Sequence, residues 1–89
     1  MGDSQLISFV ARSKRRLDVL RLLKDQEKSQ VSIMKGTGMY KTHTSRTLKE
    51  LSEKKLILCK NPEDREYRFY KITSKGREIL EQVEALIEG

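Results

Sequence analysis

The sequence predicts a small α+β domain, mostly α, in which a helix-turn-helix precedes a two-stranded β-hairpin and helices stand at both ends. Three observations carry this prediction. Thr44, Leu48 and Leu51 recur at i, i+4 and i+7, so residues 41–54 read as an amphipathic helix with one narrow apolar stripe. Just before it, Gly36-Thr37-Gly38 ends a shorter helix and supplies a tight turn. After it, Leu56-Ile57-Leu58-Cys59-Lys60 and Tyr67-Arg68-Phe69-Tyr70-Lys71-Ile72 read as strands, joined by a charged loop that holds the only proline, Pro62. With 89 residues, 36% hydrophobic and 36% charged, the span 1–89 has room for one domain with a thin core.

In chain order, Leu6, Ile7, Phe9 and Val10 repeat at helical spacing and predict a short helix over 4–13. Ser13 caps a second helix over 14–24, whose Leu17, Val19, Leu20, Leu22 and Leu23 form a broad apolar face. Asp25-Gln26-Glu27-Lys28 breaks the pattern. Ser29 then caps a helix over 30–35 that directs Val31, Ile33 and Met34 to the core. In the second strand Tyr70 and Ile72 share one face and Tyr67, Phe69 and Lys71 the other. Three of the five aromatic residues lie in this hairpin, which fits the packing of a small sheet more simply than a base-stacking platform. Thr73 caps a last helix over 74–88, in which Ile79, Leu80, Val83, Leu86 and Ile87 repeat, and Gly76 permits close approach to the sheet. The terminal helices carry more apolar stripe than one small core needs. Leu6, Phe9, Val10, Leu80, Val83, Leu86 and Ile87 are therefore expected at a homodimer contact, the alternative being that they pack only on their own core.

The charge of +6 is unevenly distributed. Residues 1–60 hold fourteen Lys and Arg against six Asp and Glu, whereas 61–89 hold five against seven. From Lys28 to Lys49 there are five basic residues and no acid, so this segment carries a positive field. Opposite the apolar stripe of 41–54, Thr42, Ser45, Arg46 and Lys49 form a short, hydrogen-bonding, cationic face suited to a nucleic-acid groove, although a solvated amphipathic helix has the same pattern. Arg12, Lys14, Arg15 and Arg16 form a basic knot at a helix start, where cations oppose the helix dipole. A solvated charge run is the simpler account of the knot by itself; contact with phosphate would also explain Arg15 and Arg16 there, and Ser29 at the next helix start is a further candidate.

Other functions are disfavoured. One His and one Cys cannot assemble a metal centre or a nucleophile with its base, and no paired carboxylates stand out, so neither an enzyme nor a cofactor is expected. Cys59 in an apolar strand reads as a small core residue rather than a redox sensor. The longest apolar run has four residues and Met1-Gly2-Asp3-Ser4 lacks a targeting pattern, which predicts a cytoplasmic protein without membrane contact.

Gly38 to Leu51, Lys54-Lys55-Leu56-Ile57, Asn61-Pro62-Glu63-Asp64-Arg65 and Tyr70-Lys71-Ile72-Thr73-Ser74-Lys75-Gly76 together resemble the archaeal winged helix-turn-helix transcriptional regulators of the MarR and ArsR groups. The resemblance covers roughly residues 5 to 85, and the strand ending in aliphatic-Thr-x-Lys-Gly is its most specific part. It implies a homodimer on double-stranded DNA, with recognition helix 41–54 in the major groove and wing 57–72 near the minor groove. By position, Tyr40, Lys41, Thr42, Ser45 and Arg46 then touch bases or phosphates and Arg65 stands at the wing tip, with Asp64 orienting it; Lys49 adds charge, Arg68 is a further wing candidate, and His43 is at a DNA contact or simply solvent-exposed. Two departures stand out: Tyr40 replaces the usual Ser or Thr cap, and Thr44 replaces the usual valine of the core stripe. The expected function is a sequence-specific DNA-binding transcriptional regulator. The alternatives are a winged-helix protein-interaction module and a non-specific DNA-coating chromatin protein.

Overall fold

A computed structural model of the chain describes residues 3–88; Met1, Gly2 and Gly89, and with them the reading of the first two residues as free of a targeting pattern, lie outside the described residues. Five helices and three short strands follow in the order α1 (Asp3–Ala11), α2 (Lys14–Leu23), β1 (Lys28–Ser29), α3 (Gln30–Thr37), α4 (Lys41–Glu53), β2 (Ile57–Cys59), β3 (Phe69–Ile72) and α5 (Ser74–Glu88). The fold is a winged helix-turn-helix, mostly helical.

The expected caps form. Ser13 Oγ accepts the backbone N–H of Arg16 at 3.3 Å, Ser29 Oγ that of Ser32 at 3.1 Å, and Thr73 Oγ1 that of Gly76 at 2.9 Å. α2 lies at the centre and touches α1, α3, α4, α5 and β3. Its Leu17, Val19, Leu20 and Leu23 meet Ile33, Leu48, Leu51, Leu56, Ile57, Ile79, Leu80 and Val83 in one core. Tyr70 and Ile72 point into that core from β3 while Phe69 and Lys71 face out, as the alternation predicts.

Three local differences from expectation have physical causes. The sheet has a third strand, β1, paired antiparallel to β3 with Lys28 opposite Tyr70 and Ser29 opposite Phe69. Two residues carry no periodicity, and β1 is templated by its partner. Second, α3 runs on through Gly36 and Thr37, and Gly38 alone ends it, with φ 73°. Third, Val31 is 49% exposed: Ile33 fixes the inward side of α3, and a residue two positions earlier lies on nearly the opposite side.

α4 ends without glycine. The backbone N–H of Leu56 bonds the carbonyl of Leu51 at 3.0 Å, and that of Lys55 the carbonyl of Ser52 at 3.0 Å. This Schellman closure puts Lys55 in the left-handed region at φ 62°. The chain leaving α4 is then gripped by the start of α5. The Leu56 carbonyl accepts both the backbone N–H and the hydroxyl of Thr73 at 3.0 Å, and the Thr73 hydroxyl also approaches the Lys55 carbonyl at 2.8 Å. Gly76 comes so near that a Cβ there would sit 2.1 Å from the Leu56 oxygen, which is the close approach its position predicts.

Candidate nucleic-acid interface

α4 buries Thr44, Thr47, Leu48 and Leu51 against the core. The two buried threonines are satisfied within the helix: Thr44 Oγ1 donates to the Tyr40 carbonyl at 3.0 Å and Thr47 Oγ1 to the His43 carbonyl at 2.8 Å. Thr44 thus fills a core position without an orphaned hydroxyl. On the other side Lys41, Thr42, Ser45, Arg46 and Lys49 are exposed and His43 is half-buried. Thr42, Ser45, Arg46 and Lys49 stand at i, i+3, i+4 and i+7, one continuous stripe. Among the described residues, Lys41, Arg46 and Lys49 take part in none of the ion pairs. Tyr40 is the N-cap residue, is 80% exposed, and makes no side-chain cap bond, so the first-turn N–H groups lack a side-chain partner among the described residues.

Gln30, a residue that no sequence pattern singles out, donates from Nε2 to Ser45 Oγ at 3.0 Å and so fixes one member of the stripe from α3. Behind this pair, a cleft of about 350 Å³ runs between α4 and the sheet, lined among others by Lys49, Cys59, Arg68 and Tyr70. Burial pushes the Tyr70 phenol above its ordinary value.

The basic knot before α2 is not one surface. Arg15 is exposed, and Lys14 pairs with Asp18 one turn on at 3.0 Å. Arg16, expected at a phosphate, turns inward instead. Its Nε donates to Glu50 Oε1 at 3.2 Å, its Nη1 to the Phe9 carbonyl at 2.7 Å, and its guanidinium lies 3.7 Å from the centre of the Phe9 ring. The side chain is only 17% exposed and spends two of its N–H donors inside the chain, which departs from the phosphate role expected of it. Ser29 Oγ is likewise engaged as the α3 cap and with Ser32 Oγ at 3.2 Å.

In the wing, Asn61 and Asp64 shape the connection between β2 and β3. Asn61 Nδ2 donates to the Tyr67 carbonyl at 2.6 Å and its Oδ1 accepts the Phe69 N–H at 2.8 Å. Asp64 Oδ1 accepts the N–H groups of Glu66 and Tyr67, both at 2.9 Å. Those bonds, Tyr67 first, hold its carboxyl below the ordinary value. Asp64 therefore builds the turn, and among the described residues its carboxylate makes no bond to Arg65. Arg65 stands exposed, while Arg68 is half-buried with Nε donating to the Asp64 carbonyl at 2.8 Å.

The residues expected at a homodimer contact divide in two. Val10, Leu80 and Val83 are at most 1% exposed within their own core, which corrects their assignment: an interface residue must reach the surface. Leu6 and Phe9 are half-buried against that core, and Leu86 and Ile87 are 66% and 55% exposed at the end of α5. No group of three or more His, Cys, Asp or Glu converges among the described residues, and no described helix is long and apolar enough to cross a membrane.

Comparison with known proteins fits this geometry. A possible transcriptional regulatory protein from Mycobacterium bovis (crystal structure of fragment 1–100) superposes with TM-score 0.80 at 22% identity, over 98% of this chain and 92% of that one. A solution structure, described as the homodimeric winged helix-turn-helix DNA-binding domain of a possible ArsR-family regulator from the same organism, gives TM-score 0.77 at 22% identity, over 97% and 79%. The transcriptional regulator BldR from Sulfolobus solfataricus gives 0.78 at 17% identity, over 96% of this chain and 65% of BldR. At these identities the likeness is one of fold. No curated protein matches in sequence. The family model of the HVO_A0261 N-terminal domain does match, over residues 4–89, and the chain belongs to that family.

Proposed function

We propose that this protein is a dimeric, sequence-specific DNA-binding transcriptional regulator of the MarR/ArsR-like kind. α4 enters the major groove with its first turns, and the wing lies near the minor groove. One observation carries this reading: Lys41, Arg46 and Lys49 stand exposed and, among the described residues, free of ion pairs on one side of a helix whose other side is core. Paired surface cations are neutralised at home; a stripe of unpaired ones is suited to the charge of a duplex. The free N–H groups behind Tyr40 add a phosphate site at the helix start. Arg46 is assigned to a guanine edge, Thr42 and Ser45 to short hydrogen bonds, and Tyr40, Lys41, His43 and Lys49 to the flanking backbone. Arg15 and, from the wing, Arg65 and Arg68 make outlying phosphate contacts. Leu86 and Ile87 of α5, with Leu6 and Phe9 of α1, form the contact with a second copy.

The test is selection of bound duplexes from a random pool by the purified protein. A palindromic consensus with half-sites about 10 base pairs apart is the expected result. Enrichment of no sequence would replace the reading with a DNA coat. Affinity for any duplex that falls only shallowly with salt, well short of a log-log slope of about −0.9 per phosphate, would point to a protein partner instead.

A further inference from the structure

We infer that Arg16 is a positioning residue that sets the rotation of α4 about its own axis, and so where the proposed reading stripe points. The inference rests on the proposal that α4 meets DNA. Three elements meet at this one side chain. The guanidinium belongs to the first turn of α2, bonds Glu50 in the last third of α4, and bonds the carbonyl and covers the ring of Phe9 on α1. Lys54, just past the end of α4, lies over the same ring at 5.6 Å. Glu50 sits one turn after Arg46 and next to Lys49, at the boundary between the exposed stripe and the anchored end.

Besides the Gln30–Ser45 bond, which ties α4 to α3 on its outer side, α4 rests on the core through Thr44, Thr47, Leu48 and Leu51, whose buried hydroxyls bond only the carbonyls of Tyr40 and His43 one turn back. Apolar contacts are not directional, so a helix resting on them can roll by some degrees at small cost. A charge-assisted hydrogen bond to a planar guanidinium is directional. Arg16 is in turn held by the Phe9 carbonyl, so the reference for the roll of α4 is the backbone of α1. Contacts to base edges tolerate little misplacement, and loss of the brace therefore appears in affinity more than in folding.

The experiment measures affinity for the selected duplex, with its salt dependence, for wild type, Arg16→Met, Arg16→Lys, Glu50→Gln and the Arg16→Met/Glu50→Gln pair. All are measured at a temperature where each is folded by circular dichroism. Each single variant is expected to bind roughly 3- to 30-fold more weakly. The double variant should be no weaker than the worse single one, because both remove the same brace. The salt slope should match wild type, since no phosphate contact is lost, and Arg16→Lys should not rescue, because one ammonium does not reproduce the two-sided fork. Glu50→Gln is decisive and independent of any folding defect in the Arg16 variants. Removing an acid near DNA should tighten binding by simple electrostatics, so unchanged or tighter binding overturns the inference. A slope reduced by about 0.9 in Arg16→Met also overturns it, by making Arg16 a phosphate contact. A wild type that binds no duplex overturns the DNA reading and this inference together.

Discussion

Over its first turns α4 carries Lys41, Arg46 and Lys49 on its surface without an ion pair among the described residues, whereas its last turn and the residues after it are tied at several points. Glu50 is braced by Arg16, Leu51 and Ser52 accept the Schellman bonds, and the Leu56 carbonyl is gripped by Thr73 and crowded by Gly76. The two ends of one helix are built for different tasks. The side chains left without partners are those proposed to meet DNA, and the side chains enclosed by partners hold the first group still.

Substitutions at the two ends should separate stability from binding. Gly76→Ala has the largest expected effect. Its Cβ would lie 2.1 Å from a backbone oxygen and 2.7 Å from Ile72 Cγ1, so the backbone itself must move, at a cost of about 3 kcal/mol or more in chemical denaturation. A loss under about 1 kcal/mol would show that the anchored end is softer than its geometry implies. Arg46→Ala is next, and its effect is of the other kind. DNA affinity should fall by about 1–3 kcal/mol in a titration with the selected duplex, while unfolding changes by less than about 0.5 kcal/mol. Equal losses in both would erase the distinction between the ends. Lys55→Gly should raise stability by up to about 1 kcal/mol, because the left-handed conformation at φ 62° burdens a side chain and not glycine.

The smallest effect concerns the wing. Asp64 has its folded pKa depressed by N–H donors, so its contribution is present above the unfolded value near 4 and is lost as pH falls through the folded value. The Glu66 and Tyr67 amide resonances should accordingly move only in that acidic window, and Asp64→Asn should abolish the transition. A similar movement at neutral pH would contradict the bonding described.

Much of this was legible in the residues themselves. The apolar stripe of α4, the inward Tyr70 and Ile72, the three Ser and Thr caps and the tight approach at Gly76 follow from periodicity and capping chemistry, which act within one turn or one strand. What escaped was decided across elements. Arg16 looks like Arg15 in the sequence, and only the fold brings Phe9 and Glu50 to one of them. Gln30 is an ordinary first-turn residue until Ser45 arrives opposite it. β1 exists because Phe69 and Tyr70 offer it bonds. Val31 differs within a single helix: it lies two positions from the buried Ile33, and the helical turn carries it to the outer side. The proposed reading stripe was legible for the opposite reason: apart from Ser45, its side chains bond no other described residue.

The wing has a further consequence. Between Lys60 and Phe69, whose N–H and carbonyl meet at 2.8 Å, the loop has no strand ladder and is held largely by two side chains, Asn61 and Asp64, together with the Asp64 N–H to Asn61 carbonyl bond at 3.0 Å around Pro62. Such a loop is shaped before anything touches it. The ordering entropy that a slack hairpin would surrender on association, of the order of 1 kcal/mol per backbone residue, has for the most part been surrendered during folding. A partner arriving at Arg65 meets a finished surface, and its encounter need not wait for the loop to find its shape.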